Sequence, residues 1–376
     1  MTNNHDLKEL AKFFLKLGII GFGGPAAHIA MMQEEVVRKR NWMSGQHFLD
    51  LVGAVNLIPG PNSTEMAIHI GQEKAGWKGL IVAGLCFIMP AVIITGIFAW
   101  LYKEYGQLPD VQPFVYGIKP SIIAIILGAI FPLAKKSLKS VELVIIGVVV
   151  LTGSLLNFNE IYLMFGAGFL AMLLAAIRNN RLTKTHSFFP FAILPITGTT
   201  LLSATNTSLF LIFLKIGAIL YGSGYVLFAF LDAELVSTGW LTRTQLIDAI
   251  AVGQFTPGPV LSAVTFIGYQ INGLSGAIVS TLGIFLPSFA FVALLKPLMK
   301  KMRNSRLFSA FLDAVNVASV AIIVAVCFVM GKEAITDWRT ILISVLSIAV
   351  AFGYKKINSA FIVLGGSILG YLLSIV

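Results

Sequence analysis

Long apolar runs alternate with short polar breaks over the whole chain, and the few polar positions inside those runs recur at matching places in its two halves. Read as helices, the runs fall at about 10–32, 46–72, 77–102, 112–133, 141–157 and 160–177, then at about 208–231, 245–270, 275–297, 310–330, 339–353 and 357–375. Most have the length that crosses a bilayer, about 20 residues of helix. The first run of each half is interrupted by glycine, and the second holds a proline turn, "IPGP" at 58–61 and "TPGP" at 256–259. Proline lacks the amide hydrogen and clashes with the preceding turn, so neither run continues through as one helix. The arms on either side are too short to cross singly, and each pair is expected to form a re-entrant hairpin.

The two halves align without gaps larger than one residue. "FLKLGIIGFGG" at 14–24 matches "FLKIGAILYGS" at 213–223, "NW" at 41–42 matches "GW" at 239–240, and "FLD" at 48–50 matches "LID" at 246–248. Gly71, Gly76, Gly79 and Pro90 then match Gly268, Gly273, Gly276 and Pro287, and every block is displaced by 197 to 199 positions. Blocks kept in order at so constant a displacement mark an internal duplication. The expected fold is an all-α polytopic membrane protein of two inverted-topology repeats, each about five spanning helices plus a Pro-Gly-Pro re-entrant hairpin. The expected division is an N-terminal repeat at 1–180, a linker at 181–207 and a C-terminal inverted repeat at 208–376. An odd number of crossings turns the second repeat upside down. Loop charge agrees with this: Arg38 to Arg40, Lys135 to Lys139, Arg178 to Lys184 and Lys296 to Arg306 form basic clusters that fall on one face. The apolar stretch at 187–202 is broken by Pro190 and Pro195 and reads as interfacial, with an additional span, which would spoil the inverted parity, as the alternative.

Composition narrows the class further. Of the 376 residues 57% are hydrophobic and 12% charged, where an ordinary soluble domain has about 25% charged. The net charge of +10 reports membrane topology in such a chain, so nucleic acid is not an expected partner. Cys86 and Cys327 lie inside apolar runs without ligand spacing, and neither a disulfide framework, a metal site nor a cofactor is expected. The phosphate-binding pattern GxxxxGK is missing, which argues against direct ATP hydrolysis.

The broken helices carry the candidate chemistry. A helix start presents unpaired N–H groups and about half a positive charge, which suits an anion. Gly23, Gly24 and Pro25 form one such start, Gly60, Asn62, Ser63 and Thr64 a second, and Gly222, Ser223, Gly258 and Ser262 their counterparts. Asn56 and Gln254 stand before the matched prolines as amide donors, and His28 follows Pro25 by one turn where the second copy has Leu227. Lys16 and Lys215 share a repeat position ahead of the glycine breaks and are expected to complement the anion, with snorkelling to the interface as the alternative. Glu35, Asp50, Glu65, Glu234 and Asp248 are the carboxylates that could carry a coupling proton, although Asp50 and Asp248 read more simply as caps or ion-pair partners. Packing is the competing explanation for each isolated Gly or Pro, and the repetition of both breaks in both halves weighs against it.

"FGGPAAHIAMM", "NW" and "FLDLVGAVNLIPGPNSTEMAIHIG" together resemble the signature of the chromate ion transporter family in its long two-domain form, and "YGSGYVLFAFLDAELV" with "TPGP" resembles its divergent second half. The resemblance implies an inner-membrane, multi-pass secondary carrier that exports chromate, a divalent tetrahedral oxyanion like sulfate, and not an enzyme. It implies functional roles for Phe22, Gly23, Gly24, Pro25, His28, Trp42, Pro59, Gly60, Pro61 and Asn62. Ser223-Gly224 stands where the first copy has Gly24-Pro25, so the two half-sites need not act alike. An anion channel and a membrane enzyme acting on a phosphorylated lipid are the rival functions. The expected partners are a small inorganic oxyanion and the bilayer, with a second copy of the chain as a candidate.

Overall fold

The computed structural model describes residues 4–22, 24–106, 108–178, 206–222, 224–303, 305–354 and 357–375. Every regular element among them is helical. In the first half α1 (Asn4–Ile20) is followed by α2 (Gly24–Gln33), which widens into a π-helical turn (Glu34–Lys39). Next come α3 (Gly45–Val55), α4 (Asn62–Tyr105), α5 (Gln112–Ser137), α6 (Val141–Leu155) and α7 (Glu160–Arg178). The second half repeats the order with α8 (Asn206–Ile219), α9 (Val226–Leu231) and a π-helical turn (Asp232–Val236). It continues with α10 (Arg243–Phe255), a 3₁₀ turn (Val260–Ser262), α11 (Ala263–Arg303), α12 (Arg306–Ala334), α13 (Trp338–Gly353) and α14 (Ser359–Ser374). Of the expected linker, residues 181–205 lie outside the described residues.

Local chemistry sets these limits. Ser44 caps α3 by accepting from the His47 amide, and Thr242 with Gln245 forms a capping box at the start of α10. The backbone of α4 breaks at Ala75 and Gly76, where φ at Gly76 is 58°, and that of α11 breaks at Asn272 and Gly273, where φ is 60°. Glycine tolerates this left-handed region. At each break the chain doubles back, because Gly71 packs on Gly79 so closely that an added Cβ would stand 2.2 Å from the Gly79 carbonyl oxygen. Gly268 and Gly276 repeat the contact at 2.3 Å. In an uninterrupted helix residues eight apart are separated by about 12 Å, so only a reversal brings them together. Each Pro-Gly-Pro turn is thus followed by a short arm, 62–74 or 263–271, folded onto the longer segment after it.

The halves exchange contacts reciprocally. Helix α5 packs on α13 and α14 of the other half, α12 packs on α6 and α7, and α4 packs on its repeat equivalent α11. Outside this core an apolar belt faces away from the protein, with Ile145, Val149, Ile341 and Val345 all more than half exposed. A belt of that kind needs lipid around it.

The helices fall close to the expected runs and differ among themselves in length. Among the described residues five helices are long and apolar enough to cross: Asn62–Tyr105, Gln112–Ser137, Glu160–Arg178, Val260–Leu294 and Arg306–Ala334. Val141–Leu155, Trp338–Gly353 and Ser359–Ser374 are shorter. At 1.5 Å per residue they reach about 22–24 Å, against about 30 Å of hydrocarbon. The reason lies at their ends: Ser140, Asp337 and Asn358 cap α6, α13 and α14, and Asn157 takes a positive φ of 62° just past α6.

Candidate functional site

Each Pro-Gly-Pro turn docks on the broken helix of the opposite half. The Gly60 amide donates to the Leu220 carbonyl just beyond α8 at 2.7 Å, and the Gly258 amide donates to the Gly21 carbonyl just beyond α1 at 2.8 Å. Gly60 and Gly258 are repeat partners, as are Gly21 and Leu220, so the two bonds form one pseudo-symmetric pair. Both acceptors are carbonyls that a helix terminus leaves without an intrahelical donor. An amide of the other half satisfies each of them, and the Gly21 carbonyl also meets His28 of its own half.

Close packing makes glycine necessary at these turns. Gly60 and Gly258 have φ of 136° and 86°, and a Cβ on Gly258 would stand 2.9 Å from the Ala91 methyl carbon. A Cβ on Gly60 would stand 2.1 Å from Glu65 Oε1 and 2.8 Å from Ser288 Oγ. Around the first turn the Asn62 side-chain amide donates to Asn56 Oδ1 at 2.8 Å and ties its two ends together. The amides of Thr64 and Glu65 bond back to the Pro61 carbonyl, which leaves Asn62 and Ser63 as the helix-start donors of α4. Ser63, Thr64 and Glu65 are all buried.

The second turn has a different lining. His28 is fully buried, with Nε2 2.8 Å from the same Gly21 oxygen that receives the Gly258 amide, and its ring packs edge-on against Phe87. With that carbonyl as acceptor, Nε2 carries the hydrogen and donates. Thr95 Oγ1 donates to Ser262 Oγ at 3.3 Å across the halves, and the Tyr225 hydroxyl reaches Gln254 Oε1 at 3.4 Å. Gly24 and Gly222 take positive φ of 76° and 94° at the two helix breaks. Pro25 sits in the first turn of α2. Gly23 and Ser223 lie outside the described residues.

The lysines are placed differently from expectation. The buried stripe of α1 runs through Leu10, Phe13, Phe14, Leu17 and Gly18, which turns Lys16 to the outer face beside exposed Leu15 and Ile19. Lys215 is half-exposed and pairs with Glu234 at 2.7 Å. Neither Lys16 nor Lys215 is brought to the turns, because the apolar arc that docks each helix passes on the other side of it. Glu35 belongs to an ionic cluster with Lys39 and Arg40, and Arg40 also holds Glu9. The Lys39 hydrogen bond keeps the Glu35 carboxyl below its ordinary value, against the smaller opposing effect of burial. Asp50 is half-buried on α3, while Asp248 is 4% exposed on α10 and accepts from the Tyr102 hydroxyl of α4 at 2.5 Å. His5, Asp6 and Glu9 bring potential metal ligands together, but Asp6 pairs with Lys74 and Glu9 with Arg40.

Several groups at the site had no signal in the sequence. Ser288 of α11 faces Glu65, and Ser319 of α12 donates to the Tyr221 carbonyl at 3.2 Å beside the second helix break. Asn316 lines the same break, near Gly222. The repeat equivalents of Ser288 and Ser319 are Ala91 and Ile122, so repetition could not have flagged either serine.

Two helical repeats that interlock through broken helices inside an apolar belt define a multi-pass membrane protein built on a duplicated transporter plan. The chain belongs to the Chromate transporter family, which matches residues 8–172 and again residues 207–371. It is 30% identical to the chromate transport protein of Cupriavidus metallidurans over 97% of this chain and 93% of that one. It is likewise 30% identical to the probable chromate transport protein of Synechococcus elongatus, over 97% and 95% of the two chains. YwrA, an uncharacterized transporter of Bacillus subtilis, is 24% identical over 41% of this chain and 89% of its own length. No solved structure matches. Membership of this family places the protein in the plasma membrane as a multi-pass transporter.

Proposed function

We propose that this protein is a secondary carrier that exports chromate across the inner membrane by alternating access, with sulfate as a second substrate of the same shape and charge. The names of its full-length relatives point to chromate, and the site supplies what a divalent oxyanion requires. The first-turn donors of α4 with the buried side chains of Ser63 and Thr64 at the first turn, and buried Ser262 and Gln254 at the second, are hydrogen-bonding groups suited to an oxyanion. No nucleophile pair or metal centre is needed for such a task.

The observation that carries this reading is the reciprocal docking of Gly60 on Leu220 and Gly258 on Gly21. Two equivalent contacts, one per half, give two equivalent places where the halves can part. In this reading the repeats at 1–180 and 208–376 are inverted in the membrane, joined by 181–207, and each Pro-Gly-Pro segment is a re-entrant hairpin reaching the midplane. Opening one contact while the other stays closed exposes the site to one side at a time.

Purified protein in liposomes, loaded with labelled chromate or sulfate and tested with and without a pH gradient, checks the proposal. Saturable chromate flux at carrier rates is expected. Absence of chromate flux above protein-free liposomes refutes it, currents far above carrier turnover would make the protein a channel, and a chemically altered lipid would make it an enzyme.

A further inference from the structure

The two turns differ in one chemical respect that the fold makes conspicuous. Glu65 is 0% exposed in the first turn of the α4 arm, and its carboxyl points back at Gly60 and the Ser288 hydroxyl. Neither carboxyl oxygen closes a well-formed hydrogen bond, and the buried hydroxyls of Thr64 and Ser288 also lack one. Three buried polar side chains without well-formed hydrogen bonds, gathered at one helix start, mark a place built for a further occupant. At the second turn the repeat equivalents of Glu65 and Ser288 are Ala263 and Ala91, so this arrangement exists once per chain.

Charged neighbours do not neutralise the group. Tyr221, just beyond α8, is a neutral titratable neighbour on another element, and His69 lies one turn further along the same arm. From α11 comes the neutral Ser288, while His28 of α2 is turned to Gly21. Among the described residues no Lys or Arg pairs with Glu65. An ionised carboxylate here would occupy the helix-start donors that an oxyanion needs, and would repel a doubly negative ligand in a medium that screens poorly.

Building on the carrier reading above, we propose that Glu65 is the proton-binding residue of the transport cycle: the oxyanion enters the first half-site only when the Glu65 carboxyl holds a proton. The proton comes from the solution on the side where the oxyanion binds, rests on a carboxylate oxygen during the passage, and returns to solution where the oxyanion leaves. Because each ligand favours the other, proton and oxyanion travel in the same direction. A divalent anion then moves with one net negative charge, and export draws on the membrane potential while working against an inward proton gradient.

Calorimetric titration of chromate into the purified full-length protein, in buffers of differing ionisation enthalpy, counts protons taken up per chromate bound. Chromate's own titration is common to all variants and cancels in their difference. Wild type is expected to take up one more proton per chromate than Glu65→Gln or Glu65→Ala. Its apparent Kd should rise about tenfold per pH unit on the alkaline side relative to either variant, the slope of a one-proton linkage. Equal uptake and parallel pH curves in wild type and a folded variant overturn the proposal. So does a wild type that takes up no proton beyond the chromate's own, a result that needs no variant. Absence of chromate binding by wild type at every pH would overturn the carrier reading and this inference together, whereas binding with equal uptake overturns this inference alone.

Discussion

Gly258→Ala should separate the contact between the halves from the ordinary strain of a turn. At φ of 86° an L-residue is disfavoured by about 1–2 kcal/mol. The new methyl also meets the Ala91 methyl carbon at 2.9 Å and the Gly18 carbonyl oxygen at 3.3 Å. Overpacking of that kind costs about 1–3 kcal/mol, for a sum of about 2–5 kcal/mol. Gly76→Ala is the control: its φ of 58° is also left-handed, but nothing lies within 4 Å of an added Cβ. Only the conformational part, about 1–2 kcal/mol, should appear there. Reversible unfolding in mixed detergent micelles measures both. Adding Ala91→Gly to Gly258→Ala should recover the steric part, giving a coupling of about 1–3 kcal/mol. If Gly258→Ala and Gly76→Ala agree within about 0.5 kcal/mol, or the double variant is additive, the turn does not press on the opposite half as described.

Lys16→Ala should leave chromate flux into liposomes within about twofold of wild type, since the side chain faces outward; a loss of most flux would show that the lysine reaches the substrate after all. Lys215→Ala removes a half-exposed ion pair with Glu234 and should lower stability in the same unfolding assay by less than about 1 kcal/mol. Tyr102→Phe deletes the 2.5 Å bond to nearly buried Asp248 and should cost about 1–3 kcal/mol, and wild-type stability would contradict that role. At Asp337 the Tyr116 hydroxyl, followed by the Thr340 amide, holds the carboxyl below its ordinary value of 3.8. A depressed folded value adds stability that is present above pH 3.8 and lost as pH falls through the folded value. Asparagine still caps α13, so the stability gap between wild type and Asp337→Asn should be constant above that pH and close below it; a gap that persists in acid would assign it to packing.

Repetition made the architecture legible. The constant displacement between "IPGP" and "TPGP" and between the paired glycines located every broken element, and the helices begin and end close to the places read from the apolar runs. Asn272-Gly273 is a turn signal in its own right, and the structure uses it to reverse α11. What repetition obscured was direction around the helix axis. Lys16 and Lys215 share a repeat position and so looked functional, yet the spacing of Leu10, Phe13, Phe14 and Leu17 already placed the first of them opposite the buried face. Cross-half partnerships such as Tyr102 with Asp248, or Ser288 with Glu65, join residues far apart in the chain, and of the four only Asp248 has a like residue, Asp50, at its repeat position. Nothing local in a single sequence encodes them.

Because the amide that completes the end of α1 comes from Gly258, and the amide that completes the end of α8 comes from Gly60, neither half is a finished object when made by itself. Released from the ribosome alone, the first half would keep His28 on the Gly21 oxygen but leave the amide of its glycine hook with nothing to catch, and the second half would leave both the Gly258 amide and the Leu220 oxygen bare. The two halves must therefore mature as a couple, and cutting the polypeptide between them should matter far less than withholding either piece.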